Sequence, residues 1–309
     1  MKNPQDHTDI LQPNTAFLFG AELASTIVRP ISTGVPLWDA ACDETGGLGL
    51  GDWWYVVLGG ASNSGKTNMA LHMLREAALG GHQPSLISLE TPRKGIQRKL
   101  YSQLTSFGFY DLLPDRFSKD WETKSARLKA EIHEFRQREP VFGASMYVIE
   151  HPNKPNLRAI MQDVDNLRKE GSRLIVLDHL QLVKAGQQEI AAAATEVSEA
   201  LREYAHSNGV CIIGLSQLNR GASTQRDRRP TMHDLWGGTS MESNANQVML
   251  IDHSRQDQAD KRYPHLLRTY LYLDKNREGP ARIAIPVEVD FKTGVWRQAE
   301  EHEVDSWPE

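Results

Sequence analysis

The stretch Trp53-Trp54-Tyr55-Val56-Val57-Leu58-Gly59-Gly60-Ala61-Ser62-Asn63-Ser64-Gly65-Lys66-Thr67 decides the fold. Its first part, Trp53–Leu58, is a continuous apolar run, as expected of a strand covered on both faces of a parallel sheet. Its second part, Gly60-Ala61-Ser62-Asn63-Ser64-Gly65-Lys66-Thr67, meets the spacing G-x-x-x-x-G-K-[ST] at every position. The glycines let the backbone curl so that successive N–H groups point inward at phosphate oxygens. Lys66 supplies a point charge for the β and γ phosphates, and the Thr67 hydroxyl is a ligand for Mg²⁺. The helix that begins here adds its positive N-terminal end to the same anion site. Strand, loop and helix together imply a bound nucleoside triphosphate, ATP with Mg²⁺.

Outward from this stretch the same alternation repeats. Further apolar runs are Leu86–Leu89, Met146–Ile149, Leu174–Leu177 and Val210–Leu215. Between them Lys66–Leu79, Asn156–Lys169 and Glu189–Ser207 place apolar residues at helical spacing and stop at Gly80-Gly81, Gly171 and Gly209. Asp120–Arg138 is charged, with Trp121, Leu128, Ile132 and Phe135 as a single apolar stripe, so it predicts a solvated helix with one packing seam. Arg268–Asp274 and Arg282–Asp290 instead alternate, and Lys292-Thr293-Gly294 predicts a hairpin turn before Val295-Trp296. The expected fold is α/β: a mainly parallel twisted sheet flanked by helices, with antiparallel strands at the C-terminal edge. Residues 1–30 predict an arm or linker outside the domain of residues 31–309.

Composition narrows the partners. The 309 residues carry 35 Lys and Arg against 40 Asp and Glu, a net charge of −5, with 39% hydrophobic residues, which suits a globular chain. No run approaches the ~18 consecutive apolar residues of a membrane span. The polar start lacks the apolar core of a secretion signal, so no membrane partner and a cytoplasmic location are expected. Cys42 and Cys211 stand far apart without neighbouring ligands, which excludes a disulfide framework or a cysteine-based zinc site. The acidic balance leaves room for a local basic groove that tracks phosphates.

In an open parallel sheet ligands sit beyond the carboxyl ends of the strands. Asp178 follows Leu174–Leu177 and is the carboxylate placed to hold Mg²⁺. Glu90 follows Leu86–Leu89; it is either the base that orients and deprotonates attacking water or a solvated loop glutamate. Gln217, after Val210–Leu215, is either a reporter of the γ-phosphate or a buried structural amide.

Several short motifs follow in one collinear series. They are Ser32-Thr33-Gly34-Val35-Pro36-Leu37-Trp38-Asp39, the cradle, Ser88-Leu89-Glu90-Thr91, Leu177-Asp178-His179-Leu180-Gln181-Leu182, Ser216-Gln217-Leu218-Asn219-Arg220 and Lys275-Asn276-Arg277-Glu278-Gly279-Pro280. From Ile31 to about Trp296 the chain resembles the RecA-like motor domain of the DnaB family of hexameric replicative helicases. The resemblance implies a RecA-like P-loop fold and ATP-dependent helicase activity on single-stranded DNA by a ring-shaped, hexameric homo-oligomer. It also implies helicase-loader or replication proteins as partners. By this resemblance Glu90 is the catalytic carboxylate, Asp178 the Mg²⁺-associated aspartate, and Gln217 the coupler of phosphate state to the DNA-facing loops. Lys275 and Arg277 become a cationic finger that reaches the ATP of the neighbouring subunit.

The matching DNA loop is His233-Asp234-Leu235-Trp236-Gly237-Gly238-Thr239-Ser240-Met241-Glu242, with Arg228 and Arg229 just upstream. Gly237 and Gly238 would offer N–H groups to phosphates, Trp236 would stack on a base or pack within the loop, and the arginines are either phosphate contacts or a solvated cluster. The family usually carries an Arg-Glu pair where Trp236-Gly237 stands. Its N-terminal collar, which binds primase, has no counterpart in the roughly 30 residues before the motor, an expectation drawn from the resemblance. The alternative reading is a RecA/RadA-type recombination or regulatory ATPase that binds nucleic acid without unwinding. A third is a RecA-like oligomer acting on protein.

Overall fold

Continuous apolar runs become strands buried on both faces, and the alternating runs become the sheet's antiparallel edge. The computed structural model describes residues 30–112, 121–138, 146–186, 189–219, 221, 228–238, 243–252 and 265–300. Among them nine strands form one sheet in the order β3-β2-β4-β5-β1-β6-β7-β8-β9. Six are parallel: β1 (Tyr55–Gly60), β2 (Pro84–Ser88), β3 (Tyr147–Glu150), β4 (Leu174–Asp178), β5 (Cys211–Gln217) and β6 (Gln247–Ile251). β7 (Leu266–Asn276), β8 (Ile283–Asp290) and β9 (Val295–Gln298) continue antiparallel. Every residue of β1, β2, β4 and β6 is buried, whereas β7 alternates.

The helices are α1 (Pro36–Ala40), α2 (Lys66–Leu79), α3 (Arg93–Leu104), α4 (Trp121–Arg138), α5 (Leu157–Lys169) and α6 (Ile190–Asn208). Their ends follow local chemistry. The Asn156 side chain accepts from Ala159 N at 2.9 Å and starts α5. Gly209 stops α6 in the left-handed region at φ +58. α2 runs over the range its spacing predicts, and α6 lies one residue later than expected.

The pleat of β1 divides the core. Val56 and Leu58 join α2 residues such as Met69, Met73 and Leu74 on one face. Tyr55 and Val57 join α5 and α6 residues such as Ile160, Val164, Val197 and Leu201 on the other. Each such large side chain contributes about 1.5–3 kcal/mol of transfer free energy.

Three elements lie outside the sequence reading: helices α1 and α3 and strand β6. Two residues of the expected seam of α4, Ile132 and Phe135, line a cavity of about 640 Å³ together with residues of α3 and β3. The predicted arm lies outside the described residues, save for Pro30, whose carbonyl stands 3.2 Å from His82 Nε2. Among the described residues no helix is long and apolar enough to cross a membrane.

Candidate active site

Because β1, β2, β4 and β5 are parallel, their carboxyl ends meet on one edge of the sheet, where the strand order brings Gly60, Ser88, Asp178 and Gln217 together. The cradle turns there. Gly65 caps α2 with φ +94, and a Cβ on it would stand 2.9 Å from Trp296 Cζ2, so both backbone and space call for glycine. Ser64 Oγ is buried with no hydrogen-bond partner among the described residues, a polar atom left facing the curl of the loop.

Lys66 Nζ donates to the Gly60 and Ala61 carbonyls at 3.0 and 2.7 Å. Burial lowers its pKa to about 8, with the Asp178 and Glu90 charges pulling it back up. An anion in the cradle would offset that desolvation. Thr67 Oγ1 donates to Asp178 Oδ2 at 2.8 Å, joining the first turn of α2 to the end of β4. Asp178 is almost wholly buried, and burial pushes its pKa up against the opposing hydrogen bond from Thr67. A hydroxyl and a buried carboxylate facing one another fit a hard divalent cation such as Mg²⁺.

Glu90 lies just past β2, and the end of β2 is tied to β4 by Leu89 N donating to Asp178 O at 2.8 Å. Its carboxylate meets His179 Nδ1 at 3.2 Å. Burial pushes the His179 pKa down, against the opposing pull of the Asp178 and Glu90 charges. Gln217 ends β5. Its N–H points at Gln181 Oε1 at 3.4 Å, while Gln181 Nε2 donates to Ser216 Oγ at 2.8 Å, so one amide braces the strand end.

These groups line a cavity of about 560 Å³ that includes Ser62, Asn63, Gly65, Lys66, Thr67, Glu90, Asp178 and Gln217. The sequence reading missed its other wall: Lys99 and the aromatic pair Phe109 and Tyr110 after α3, and Phe291, Thr293 and Gly294 of the β8–β9 turn. Lys99 Nζ donates to Asn68 Oδ1 at 3.0 Å, and burial lowers its pKa. Tyr110 and Phe291 remain 57% and 36% exposed, and large aromatics left open on a cavity rim are the one signal in the fold that marks this wall.

The Thr231–Trp236 segment is knitted to the strand end that bears Gln217. Leu235 bridges Leu218, Asn219 N donates to Asp234 O at 2.7 Å, and Trp236 N donates to Gln217 O at 3.3 Å. Trp236 is half-buried. Gly238 does not hold a free N–H for phosphate: it donates to Leu235 O at 3.0 Å, and a Cβ there would meet Met232 O at 2.7 Å. Gly237 turns the chain with φ +76. Thr239 lies outside the described residues, as do Arg220 and 240–242.

Both upstream arginines have carboxylate partners. Arg228 donates to Asp234 through two bonds of 2.8 and 2.7 Å, and Arg229 donates to Asp274 at 3.1 Å with its guanidinium 4.8 Å above the Tyr272 ring.

Lys275 and Arg277 stand elsewhere. Lys275 pairs with Val248, and Arg277 N donates to Asn246 O, beside the first residue of β1. Lys275 Nζ donates to Ala245 O at 2.6 Å and the Arg277 guanidinium to Ser243 O. They lie toward the amino ends of the parallel strands, Lys275 level with Val57 and Arg277 level with Tyr55, about 10 and 17 Å from Gly60 along the strand at about 3.3 Å per residue.

Comparison with known proteins agrees with this fold. Residues 31–298 match the DnaB-like helicase C-terminal domain family. Among curated relatives, the replicative DNA helicase DnaB of Leifsonia xyli is 30% identical over 260 residues, 81% of this chain and 53% of that protein. The DnaB of Buchnera aphidicola is 27% identical over 257 residues, 81% of this chain and 52% of that protein. The chain thus spans about half the length of these two relatives. Among solved structures, a DnaB-like replicative helicase described with its interactions with primase superposes with TM-score 0.72 at 19% identity, covering 88% of this chain and 64% of that one. A KaiC-like protein from the archaeon Pyrococcus horikoshii gives 0.58 at 16% identity, covering 88% and 100%. At such identity these two matches establish the RecA-like fold.

Proposed function

The chain belongs to the DnaB-like helicase C-terminal domain family, and from that premise we propose that it is the ATP-hydrolysing motor of a hexameric ring that translocates on single-stranded DNA and unwinds duplex. The observation that carries this reading is the meeting of Lys66, Thr67, Glu90, Asp178 and Gln217 around one cavity, with the Trp236 segment hydrogen-bonded to the Gln217 backbone. In this reading residues 31–309 form the motor and residues 1–30 a linker.

Lys66 exchanges its two carbonyl partners for β- and γ-phosphate oxygens. Thr67 and Asp178 would hold Mg²⁺, which when bound offsets phosphate charge and orients the triphosphate. Glu90 takes the proton of the attacking water onto its carboxylate as the water oxygen bonds the γ-phosphorus and the bridge to the β-phosphate breaks. Gln217 senses the γ-phosphate through its amide and passes its position to Trp236 through the shared backbone bond. Lys275 and Arg277, set back from their own cavity, serve the ATP of the next subunit, so hydrolysis depends on assembly. They bond the carbonyls of Ser243 and Ala245, on the segment that follows the DNA loop, which supports a mechanical link between finger and strand. Arg228 and Arg229 act in this reading as braces of the loop, leaving Trp236 and Gly237 at its open end for single-stranded DNA.

ATP turnover with and without oligo-dT, imaging with an ATP analogue, and unwinding of forked DNA test the proposal. Six-fold rings, DNA-stimulated turnover that fades with salt, and strand separation are expected. DNA-coating filaments without unwinding would establish the recombinase-type alternative instead, and turnover equally fast in isolated monomers would remove the finger.

A further inference from the structure

His179 follows Asp178 at the cap of a short turn, Leu180–Leu182, and its role is so far unassigned. Its side chain is 6% exposed, with Nδ1 standing 3.2 Å from Glu90 Oε2 and 3.9 Å from Asp178 Oδ1. Glu90 is its opposite in mobility: a long side chain, 57% exposed, on the loop beyond β2. At that exposure a glutamate samples several rotamers, and a base that wanders loses the geometry on which proton transfer depends. Among the described residues His179 is the one side chain within hydrogen-bonding distance of the Glu90 carboxylate, while the Lys66 and Lys99 charges act on it from further off.

Charge adds a second reason for a fixed partner. One ligand atom from each of Glu90, Asp178 and His179 lies within 4.8 Å of the others. Two carboxylates that close repel one another, and the exposed member would swing toward solvent. The His179 ring stands between them, with Nδ1 nearer to Glu90 than to Asp178, and gives the exposed carboxylate a fixed place to rest. The backbone that carries the ring is anchored, because Leu89 N donates to Asp178 O and Leu182 N donates to His179 O at 3.1 Å, and the ring itself is buried.

We infer that His179 is a positioning residue for ATP hydrolysis: its Nδ1 side holds Glu90 Oε2 toward the cavity and leaves Oε1 to accept the proton of the attacking water. The inference rests on the reading of Glu90 as the general base.

The test compares His179→Leu, His179→Asn and His179→Gln with the unmodified chain and with Glu90→Gln. kcat and KM for ATP are measured, together with binding of a fluorescent non-hydrolysable analogue. Asn places an amide donor near the position of Nδ1, Gln carries its amide past it, and Leu has none. In His179→Leu, kcat should fall ~10–100-fold, part of the contribution of a well-placed base. KM and analogue affinity should stay within about twofold, since binding is left intact. His179→Asn should recover turnover to within about fivefold of the unmodified chain, and His179→Gln should not.

Unchanged kcat in the Leu variant, equal losses in Leu and Asn, or analogue affinity falling in step with kcat would each overturn the inference. Should His179→Leu fail to fold, Asn against Gln decides in the same way, and equal turnover in those two overturns it. Glu90→Gln retaining turnover would sink the base assignment and this inference together. Loss in Glu90→Gln with normal His179→Leu removes the positioning role alone.

Discussion

Arg228→Ala separates a brace from a phosphate contact. The Arg228 guanidinium spans both oxygens of Asp234 at 2.7 and 2.8 Å. That carboxylate also accepts from Thr231 N at 2.8 Å, one half of a capping box whose other half runs from Asp234 N to the Thr231 side chain, and from Thr231 Oγ1 at 3.0 Å. Hydrogen bonds to charged groups contribute about 1.5–3 kcal/mol when buried. The Arg228 side chain is 44% exposed, so solvent screening brings the figure for this pair to about 1 kcal/mol. In a domain of this size that loss lowers the melting temperature by about 2 °C.

If the strain falls on the loop, DNA affinity drops by no more than about fivefold, the equivalent of 1 kcal/mol. A phosphate contact behaves differently. Each contact to a single strand contributes about 0.7 to the slope of log affinity against log salt. The assay is therefore a fluorescence titration of labelled oligo-dT at four salt concentrations, with a melting curve alongside. Bracing predicts an unchanged slope and a lowered melting temperature. A slope shallower by about 0.7 with an unchanged melting temperature would refute the brace and restore Arg228 to the phosphate contacts.

Mixed oligomers test the finger: Lys66→Ala and Arg277→Ala chains should each be inactive alone, yet regain part of their turnover when mixed, measured by phosphate release. No recovery at any ratio counts against action between subunits. Phe291→Ala and Tyr110→Ala should raise KM for ATP several-fold, since an aromatic contact with the base contributes about 0.5–1.5 kcal/mol, while leaving kcat nearly unchanged. Discrimination between ATP and a pyrimidine triphosphate should weaken in steady-state kinetics. His72, on the buried face of α2 beside Arg75, Glu76 and the Gly34 carbonyl, has its pKa lowered by burial from 6.5 to about 4. Between those values the unfolded chain binds a proton that the folded chain refuses, so stability falls as pH drops from 6.5 to about 4 and levels off below, by up to about 3 kcal/mol. Urea midpoints across that range should show the fall, and His72→Gln should flatten it.

What could be read along the chain was whatever depends on near neighbours. The strand, glycine loop and helix from Tyr55 to Leu79 follow from hydrophobic period, from the φ that Gly65 alone adopts freely, and from a lysine one residue on. The alternation of Leu266–Asn276 marked the antiparallel edge for the same reason, since a residue's face in a strand is set by its parity. Gln247–Ile251 was passed over although Val248–Ile251 is a continuous apolar run of the same kind as those of β2 and β4.

The site was legible only in part. Lys66 and Thr67 announced themselves through the glycine spacing, and Glu90, Asp178 and Gln217 as polar residues after apolar runs, yet nothing in the chain says that β5 lies between β1 and β4. That order makes one cavity of them. It also seats Trp296 and the Phe291 turn against a loop more than two hundred residues earlier, and pairs Arg229 with Asp274 across 45 residues. The same order sends Lys275 and Arg277 toward the amino ends of the parallel strands, set back from their own cradle. Such pairings are contacts through space between groups distant along the chain. Their free energies depend on distance and burial, which exist only once the sheet has chosen its order.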